Sequence, residues 1–383
     1  MKKIFVLIMC CLLLFTSCDK AEKYNDYFAS TVQQTEKNEK EPEFCGLWLT
    51  YSELSVKGKN YTEKSYSEYI GKIFDSAKQW GVTDVFVHAR AFGDALYFSS
   101  VFPHSEYASG KRGKKAEFDI LKICISEGEK RSLKIHAWIN PYRISSSFKA
   151  DYLCKGTLKD WYEKNTGDVF EINGGLYLNP TSEKAKKLVA DSVREIMSNY
   201  NVAGIHFDDY FYPENCSDAD KKNFEEYRKK GGTLFLQGFR HENVNSLVSL
   251  VYALVKSFGE EKIFSISPSG DIDKNIDGFY ADVALWCKGG YCDMIIPQLY
   301  FGFENETMPF EKTLDKWCDL CEGSSVRLAV GLALYKIGKE DEFAGAGKYE
   351  WLKNSDIISR QIEMLKEKEV SGYALFSASY LKF

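Results

Sequence analysis

The pattern of hydrophobic and polar residues predicts eight short strands separated by amphipathic helices. Short runs rich in β-branched and aromatic residues are typical of buried strands. Between them apolar residues recur at helical spacing, often after a Ser, Thr, Asp or Asn that can cap a helix. The predicted strands are 44–50, 82–90, 133–140, 202–208, 262–268, 293–298, 327–332 and 372–377, and the predicted helices are 65–80, 117–131, 182–200, 244–258, 279–289, 310–322 and 355–369.

This alternation favours a fold of the α/β class, a (β/α)8 TIM barrel. Residues 43–383 contain no second change of composition, so we predict that they form a single domain. A doubly wound open sheet is the alternative. It usually has a glycine-rich turn after its first strand, and residues 49–54, Leu-Thr-Tyr-Ser-Glu-Leu, contain no glycine.

The first 42 residues have the pattern of an export signal followed by a tether. Two lysines precede an apolar run over residues 4–15, which is too short for a spanning helix. We therefore predict a signal peptide over 1–17 and, by resemblance to bacterial lipoprotein signals, a lipid-modified Cys18; an ordinary cleaved signal is the alternative. Residues 18–42 are polar and predict a flexible tether. The chain is expected to be exported and lipid-anchored in the cell envelope, with the leaflet left open.

Composition narrows the classes of partner. The net charge of −5 is mild, and no Lys/Arg run is interleaved with aromatics, so we expect no nucleic-acid partner. Aromatic residues make up 15% of the chain, which weakly favours carbohydrate as a partner, since sugar faces stack on such rings.

Cys318 and Cys321 form a lone CxxC with no second pair, so a structural role is favoured, and we expect no metal or cofactor. Disulfide pairing in an exported chain is not readable from the sequence.

The most informative segment is 202–213, an apolar run that ends in two adjacent carboxylates among aromatics. In a TIM barrel the chemistry lies where strands end. Side chains alternate along a strand, which predicts that His206, Asp208 and Tyr210 face the barrel axis. Asp208 is therefore the first choice for a catalytic carboxylate. Asp209 is the second choice, because it turns inward if the strand has already ended.

The same alternation places other polar residues at the ends of the neighbouring strands. Three histidines fall on inward faces, and a hydrogen-bonded polar layer is a better interpretation for them than catalysis or metal binding. The residues that share faces are His88 with Arg90, His136 with Trp138 and Asn140, and Gln298 with Tyr300.

Several segments resemble the glycosyl hydrolase-like 10 family. The most specific are Asn-Pro-Tyr-Arg at 140–143 and Phe-Asp-Asp-Tyr-Phe-Tyr-Pro at 207–213, supported by segments at 46–50, 90–97, 178–180, 243–245 and 296–300. The resemblance implies a (β/α)8 barrel in a bacterial envelope protein and a glycosidase activity, with family members linked to the glycan strands of peptidoglycan. The site it carries over comprises Asp208, Asp209, Arg90, Asn140, Tyr142 and Arg143.

Glycoside hydrolysis needs one carboxylic acid to protonate the leaving oxygen and a second carboxylate to attack the sugar or activate water. Asp208 is one partner, and the second stays open among Asp209, Glu53, Asp94, Asp271 and Glu304. Arg90 and Arg143 either hold carboxylates ionised, bind acidic groups on the sugar or form salt bridges at the rim. Tyr142, Tyr210, Tyr212 and Tyr300 are expected to form walls for the sugar. The predicted substrate-binding residues are Arg90, Asp94, Trp138, Asn140, Tyr142, Arg143, His206, Tyr210, Gln298 and Tyr300.

These observations favour a membrane-anchored glycosidase acting on an envelope polysaccharide. Two alternatives remain open at this point: a glycan-binding lipoprotein without turnover, and a metal-dependent hydrolase or deacetylase that uses the acids and histidines. The sequence leaves oligomeric state and protein partners undetermined.

Overall fold

The computed structural model describes residues 44–149, 152–216 and 219–381. The predicted signal peptide, the lipid-modified Cys18 and the tether lie outside this part of the chain. Within the described residues, no helix is both long and apolar enough to cross a membrane.

The strands and helices alternate along the chain as the pattern predicts. The strands are β1 Phe44–Leu49, β2 Asp84–Arg90, β3 Lys134–Ile139, β4 Arg143–Ser145, β5 Val169–Ile172, β6 Gly175–Leu178, β7 Gly204–Phe207, β8 Ile263–Ile266, β9 Met294–Ile295, β10 Arg327–Leu328, β11 Val330–Ala333 and β12 Gly372–Phe376. The helices are α1 Glu63–Gln79, α2 Glu106–Ser109, α3 Ile120–Glu129, α4 Thr157–Glu163, α5 Glu183–Asn199, α6 Lys221–Lys229, α7 Leu236–Lys256, α8 Val283–Gly289, α9 Phe310–Cys321, α10 Glu350–Lys353 and α11 Ile357–Glu367.

The main sheet closes into a barrel. Its order is β10-β9-β8-β7-β3-β2-β1-β12-β11, and all neighbouring strands are parallel. Only Ala329 separates β10 from β11; β10 pairs with β9, whereas β11 pairs with β12. These two segments therefore act as one strand that joins both edges of the sheet. The predicted (β/α)8 barrel is confirmed, and the open sheet is excluded because this strand pairs with β9 on one side and with β12 on the other.

Helix boundaries follow from capping side chains. The hydroxyl of Thr62 accepts a hydrogen bond from the Ser65 backbone before α1, and the carboxylate of Asp119 does the same for the Lys122 backbone before α3. Such caps satisfy backbone N–H groups that the first helical turn leaves unpaired. All seven predicted helices are present. Helix α7 begins at Leu236, well before the predicted start at 244, because its first two turns are largely polar and lack a clear apolar stripe.

A small antiparallel sheet, of order β4-β6-β5, is inserted between β3 and α5, and the sequence analysis did not predict it. Strands β5 and β6 form a hairpin whose turn residues, Asn173 and Gly174, both have positive φ. Asn-Gly is the preferred pair for such a turn, so a usable signal was present. The sheet is tied to the barrel by the N–H of Gly93, which donates to the Ile144 carbonyl oxygen at 3.0 Å.

Side chains inside the barrel form a compact aromatic layer. Trp48, Phe86 and Trp138 pack there with smaller apolar residues from the other strands. The opposite strand faces pack against the helices in a second, larger core. Gly204 begins β7 where a Cβ would overlap the carbonyl oxygen of Ile263, so glycine permits the close approach of β7 and β8.

Candidate active site

Asp208 lies directly after β7 at the mouth of the barrel, the end at which the parallel strands finish. It is 3% exposed. Its Oδ2 accepts hydrogen bonds from Trp138 Nε1 at 3.1 Å and from Asn140 Nδ2 at 3.4 Å, and its Oδ1 accepts one from the Tyr210 backbone at 3.3 Å. Trp138 belongs to β3 and Asn140 follows it, so the carboxylate points across the end of the neighbouring strand.

The surroundings of Asp208 favour its protonated form. Burial is the main cause, and the negative charge of Asp209 acts in the same direction; together they raise the pKa of Asp208 from 3.8 to about 7. The positive charge of Arg143 and the hydrogen bonds from the Tyr210 backbone and Trp138 act in the opposite direction without cancelling the rise. A carboxyl group of this kind holds a proton near neutral pH, which is what a general acid requires.

Asp209 also has its carboxylate in the mouth. Burial raises its pKa, while its own backbone N–H, the charge of Arg143, a hydrogen bond from Gln298 and the charge of Lys274 oppose the rise. Gln298 follows β9, on the other side of β7 from Trp138. The two acids therefore face different neighbours within one site, and the alternation of side chains no longer applies because β7 ends at Phe207.

Tyr210 forms the exposed edge of the site, and the buried Arg143 packs under it. The guanidinium of Arg143 lies 3.7 Å from the ring centroid of Tyr210 and 4.9 Å from that of Phe92. It also donates to the Ala91 carbonyl oxygen at 3.4 Å. Tyr210 is 43% exposed, so one ring face is backed by a cation while part of the ring is open to solvent. An amphipathic ring held in this way suits stacking against a sugar.

Tyr300 and Gln298 line the side of the mouth near Asp209. Tyr300 is half-buried, and the charges of both acids contribute to raising the pKa of its hydroxyl, after the larger effect of burial. Its ring packs against Tyr335 and Phe376, each with centroids 5.8 Å away. Tyr335 was missed by the sequence analysis, although it follows the seventh predicted strand and its position at a strand end was a usable signal.

The histidines lie below the acids as a polar layer. The ring of His88 stacks on Trp138 with centroids 3.3 Å apart, and its Nδ1 accepts from the Tyr51 backbone at 3.2 Å. His206 is fully buried: its Nε2 accepts from Trp48 Nε1 at 3.1 Å, and its Nδ1 lies 2.8 Å from Ser265 Oγ. Burial lowers the pKa of both rings well below the ordinary value, so both are neutral. His206 was predicted to bind substrate, but both of its nitrogens are already occupied beneath the mouth.

Three further predicted site residues are fully buried. Arg90 is fully buried and donates to the Pro141 carbonyl oxygen at 3.0 Å, so it joins the loops after β2 and β3. Asp94 is paired with Arg112, and burial raises the pKa of Asp94 to about 6. Tyr142 has no exposed surface. The contacts of Arg90 and Asp94 are therefore structural, and sugar binding by these three residues stays a prediction.

Two of the remaining candidates for a second carboxylate, Glu53 and Asp271, are engaged in hydrogen bonds within their own loops or to a neighbouring loop. Glu53 accepts hydrogen bonds from the Thr50 hydroxyl at 2.8 Å and from Ser377 Oγ at 2.8 Å, which links the loops after β1 and β12. Asp271 accepts from the Lys274 backbone, and Glu304 is exposed. Tyr212 was expected to form part of a wall for the sugar. Its hydroxyl is buried and donates a hydrogen bond to Asp220 at 3.0 Å. Of the acids named from the sequence, Asp209 is the one that acts on Asp208.

A metal-dependent mechanism needs several His, Cys, Asp or Glu donors around one point. Within residues 44–149, 152–216 and 219–381, no cluster of three or more His, Cys, Asp or Glu side chains has the arrangement of a metal site. In the part of the chain that the structure describes, the donors that the metal-dependent alternative requires are therefore not grouped around the two acids.

A closed (β/α)8 barrel with two acids at its mouth is one of the architectures that carbohydrate-cleaving enzymes use, although the same fold supports many other reactions. Among solved structures, the fold resembles alpha-L-fucosidase isoenzyme 2 from Paenibacillus thiaminolyticus, with a TM-score of 0.58 and 10% identity over 89% of this chain and 47% of that chain. It also resembles the PgaB (BpsB) glycoside hydrolase domain from Bordetella bronchiseptica, with a TM-score of 0.57 and 9% identity over 88% and 94% of the two chains.

The family described as Glycosyl hydrolase-like 10 matches residues 43–346, and the chain belongs to it. Glycosyl hydrolase DigH from Escherichia coli (strain K12) is 29% identical over 377 residues, which cover 88% of this chain and 83% of that protein. Glycosyl hydrolase YngK from Bacillus subtilis (strain 168) is 30% identical over 336 residues, covering 83% of this chain and 64% of that protein. Family and fold together place the chain among the glycoside hydrolases.

Proposed function

We propose that this protein hydrolyses glycosidic bonds of an envelope polysaccharide, with the glycan strands of peptidoglycan as its substrate. The observation that carries the proposal is the acid pair at the barrel mouth, in which Asp208 has a pKa raised to about 7 beside a second carboxylate, that of Asp209. The choice of substrate is supported by the resemblance to the family, which implies peptidoglycan glycans. It is also supported by the predicted export of the chain to the cell envelope.

The two acids take different roles in the proposed reaction. Protonated Asp208 donates its proton to the glycosidic oxygen as the bond to the anomeric carbon breaks. Ionised Asp209 stabilises the positive charge that develops on the sugar ring. A water molecule then adds its hydroxyl group to the anomeric carbon and returns a proton to Asp208. Trp138 and Asn140 hold Asp208 in position through their hydrogen bonds.

The exposed edge of the site suits an acidic, amphipathic sugar. The ring of Tyr210 offers a stacking surface, and the guanidinium of Arg143 beneath it attracts a carboxylate such as a lactyl substituent. The charge of Arg143 also opposes the rise in pKa of both acids. Arg143 therefore contributes both to sugar binding and to the acid chemistry.

The test is digestion of purified peptidoglycan glycan strands from which the peptides have been removed. New reducing ends and product masses are measured for the wild type, for Asp208→Asn and for the control Asp271→Asn. Asp271 is also a strand-end acid, but it accepts from the Lys274 backbone, a role that asparagine can keep. We expect release by the wild type and the control and none by Asp208→Asn. Equal release by all three proteins would remove Asp208 from catalysis; binding without release by the wild type would favour the glycan-binding alternative.

We also propose that the chain is exported and held at a membrane by a lipid on Cys18. The support is the apolar run over residues 4–15 followed by Thr-Ser-Cys at 16–18. Expression of the wild type and Cys18→Ser, followed by membrane fractionation and mass analysis of the N-terminal peptide, tests this. The wild type is expected in the membrane fraction with an acylated N-terminus. An unmodified N-terminus in the wild type would contradict the proposal.

A further inference from the structure

Two thiols on neighbouring outer helices lie in contact. The Sγ atoms of Cys287, in the last turn of α8, and Cys321, the last residue of α9, are 3.5 Å apart. A disulfide has an S–S distance of about 2.05 Å, so an approach of about 1.5 Å by the two sulfur atoms would complete the bond. We propose that Cys287 and Cys321 are a disulfide-forming site that joins α8 to α9 when the protein is oxidised.

The contact is held in place by the surrounding structure. Ser324 Oγ donates a hydrogen bond to the Cys287 carbonyl oxygen, which fixes the turn after α9 against the end of α8. Helices α8 and α9 are packed beside each other, and Trp286 and Trp317 are buried in the core on either side. Two well-packed helices therefore hold the sulfur atoms in contact, and neither cysteine lies in a loop.

The two thiols differ in a way that orders the reaction. Cys287 is fully buried, whereas Cys321 is half-buried and reachable from solvent. The hydrogen bond with Cys287 lowers the pKa of Cys321, and the same contact together with burial raises the pKa of Cys287. Cys321 is therefore the thiol that reacts first with an external oxidant, because the thiolate is the attacking species.

The oxidant in this proposal is a small-molecule or protein disulfide. The Cys321 thiolate attacks one sulfur of that disulfide, forms a mixed disulfide and releases the other half as a thiolate. Cys287 then loses its proton, attacks the Cys321 sulfur and releases the second half. In total two thiols of the protein lose two electrons and two protons, and one external disulfide is reduced to two thiols.

The position of the pair predicts an effect on stability and not on activity. Both cysteines lie at the ends of helices that lead back to the starts of β9 and β10, and therefore at the base of the barrel, opposite the mouth. The bond would close a loop between residues 34 positions apart. Loop closure of that length restricts the unfolded chain and is expected to raise the Tm by about 5 °C.

The experiment uses the purified full chain, reduced and then incubated with glutathione disulfide. Remaining thiols are alkylated, and the linked peptides are mapped by mass spectrometry. We expect a Cys287–Cys321 cross-link, a Tm about 5 °C higher than that of the reduced protein, and unchanged glycosidase activity. The variants Cys287→Ser and Cys321→Ser should both lose the cross-link and the rise in Tm, and Cys321→Ser serves if Cys287→Ser fails to fold.

Cys318→Ser is the matched control, since Cys318 lies one helical turn from Cys321 and is also half-buried. It should keep both the cross-link and the rise in Tm. A Cys318–Cys321 bond in the oxidised wild type would overturn the proposal. So would full alkylation of Cys287 and Cys321 after oxidation of the wild type, or a rise in Tm that persists in Cys321→Ser.

Discussion

Two buried aspartates at opposite ends of the barrel have opposite shifts in pKa. Asp84 lies at the base, where the strands begin, and Asp208 lies at the mouth; they are 6% and 3% exposed. Burial raises the pKa of Asp84. Three neighbours together lower it below its ordinary value: His136 through its hydrogen bond and charge, Thr83 through its hydroxyl, and Lys134 through its charge. The pKa of Asp208 is raised to about 7.

The comparison shows that the donors around a buried carboxylate decide what it can do. At the base, His136 Nε2 and Thr83 Oγ1 lie 2.8 Å and 2.7 Å from the Asp84 oxygens, which stabilises the ionised form. At the mouth the side-chain donors are neutral, and a second acid stands beside Asp208. The base carboxylate therefore supports the fold, whereas the mouth carboxylate keeps a transferable proton.

Removing each carboxylate should separate catalysis from structure. Asp208→Asn is expected to lower kcat by about 10²- to 10⁴-fold, because it removes the proton donor. Asp84→Asn should leave kcat within about threefold of the wild type, since a base-end change leaves the acid pair intact. Initial rates on peptide-free glycan strands, with folding checked by circular dichroism, measure both. A similar loss of kcat in the two variants would show that the two carboxylates do not differ in role.

The same two positions should have opposite effects on stability at pH 8. Asp84→Ala leaves His136 without its buried partner and is expected to lower the free energy of unfolding by about 3 kcal/mol. The pKa of Asp208 is higher in the folded protein than the ordinary value of 3.8, so ionisation opposes folding increasingly as pH rises from about 4 to about 7.

Asp208→Asn removes that opposition and should raise the free energy of unfolding by on the order of 2 kcal/mol at pH 8, with no gain at pH 3.5. Urea denaturation of the wild type and both variants at the two pH values measures these differences. A destabilised Asp208→Asn at pH 8 would show that the carboxylate is ionised without penalty in the folded state.

A tyrosine packs near a cation at both ends of the barrel, but only the one at the mouth, Tyr210, is exposed. Tyr210 packs on Arg143 at the mouth, and Tyr252 lies 5.7 Å from Lys256 on α7, near the base. Tyr210→Ala should raise KM about tenfold, whereas Tyr210→Phe should stay close to wild type if stacking is the contribution. Tyr252→Ala is the control and should leave KM unchanged. Equal KM values for all variants would exclude a sugar platform at Tyr210.

The smallest expected effect concerns the second acid. The negative charge of Asp209 raises the pKa of Asp208, so Asp209→Asn should lower that pKa from about 7 by roughly one unit at most. Infrared titration of the protonated carboxyl band, with Asp208→Asn as the reference, measures the shift without requiring turnover. An unchanged or higher pKa would show that the two carboxylates do not interact as the structure indicates.

Much of the barrel was predictable because its signals are local. The strands follow from short apolar runs, and the inward direction of His206 follows from the alternation of side chains along β7. The Asn-Gly turn of the β5–β6 hairpin carried a signal of the same local kind, but the short strands around it did not show a clear period. The early start of α7 was missed for a similar reason.

Other features depend on contacts between residues far apart in the chain. Arg90 and Arg143 are alike in sequence, each near the end of an early strand, yet Arg90 is fully buried on backbone carbonyl groups while Arg143 packs under Tyr210. The direction of Asp209 depends on the residue at which β7 ends and on Gln298, almost ninety positions later.

The order of strands and helices, the family and the position of Asp208 at a strand end could all be predicted from the sequence, because hydrophobic period and motif are properties of neighbouring residues. Contacts between distant segments were needed to show that β10 and β11 close the ring, that the Asp209 carboxylate shares the mouth with that of Asp208, and that the pKa values of Asp84 and Asp208 are shifted in opposite directions. Burial and the set of nearby donors produce these differences, and both arise only when distant segments pack together.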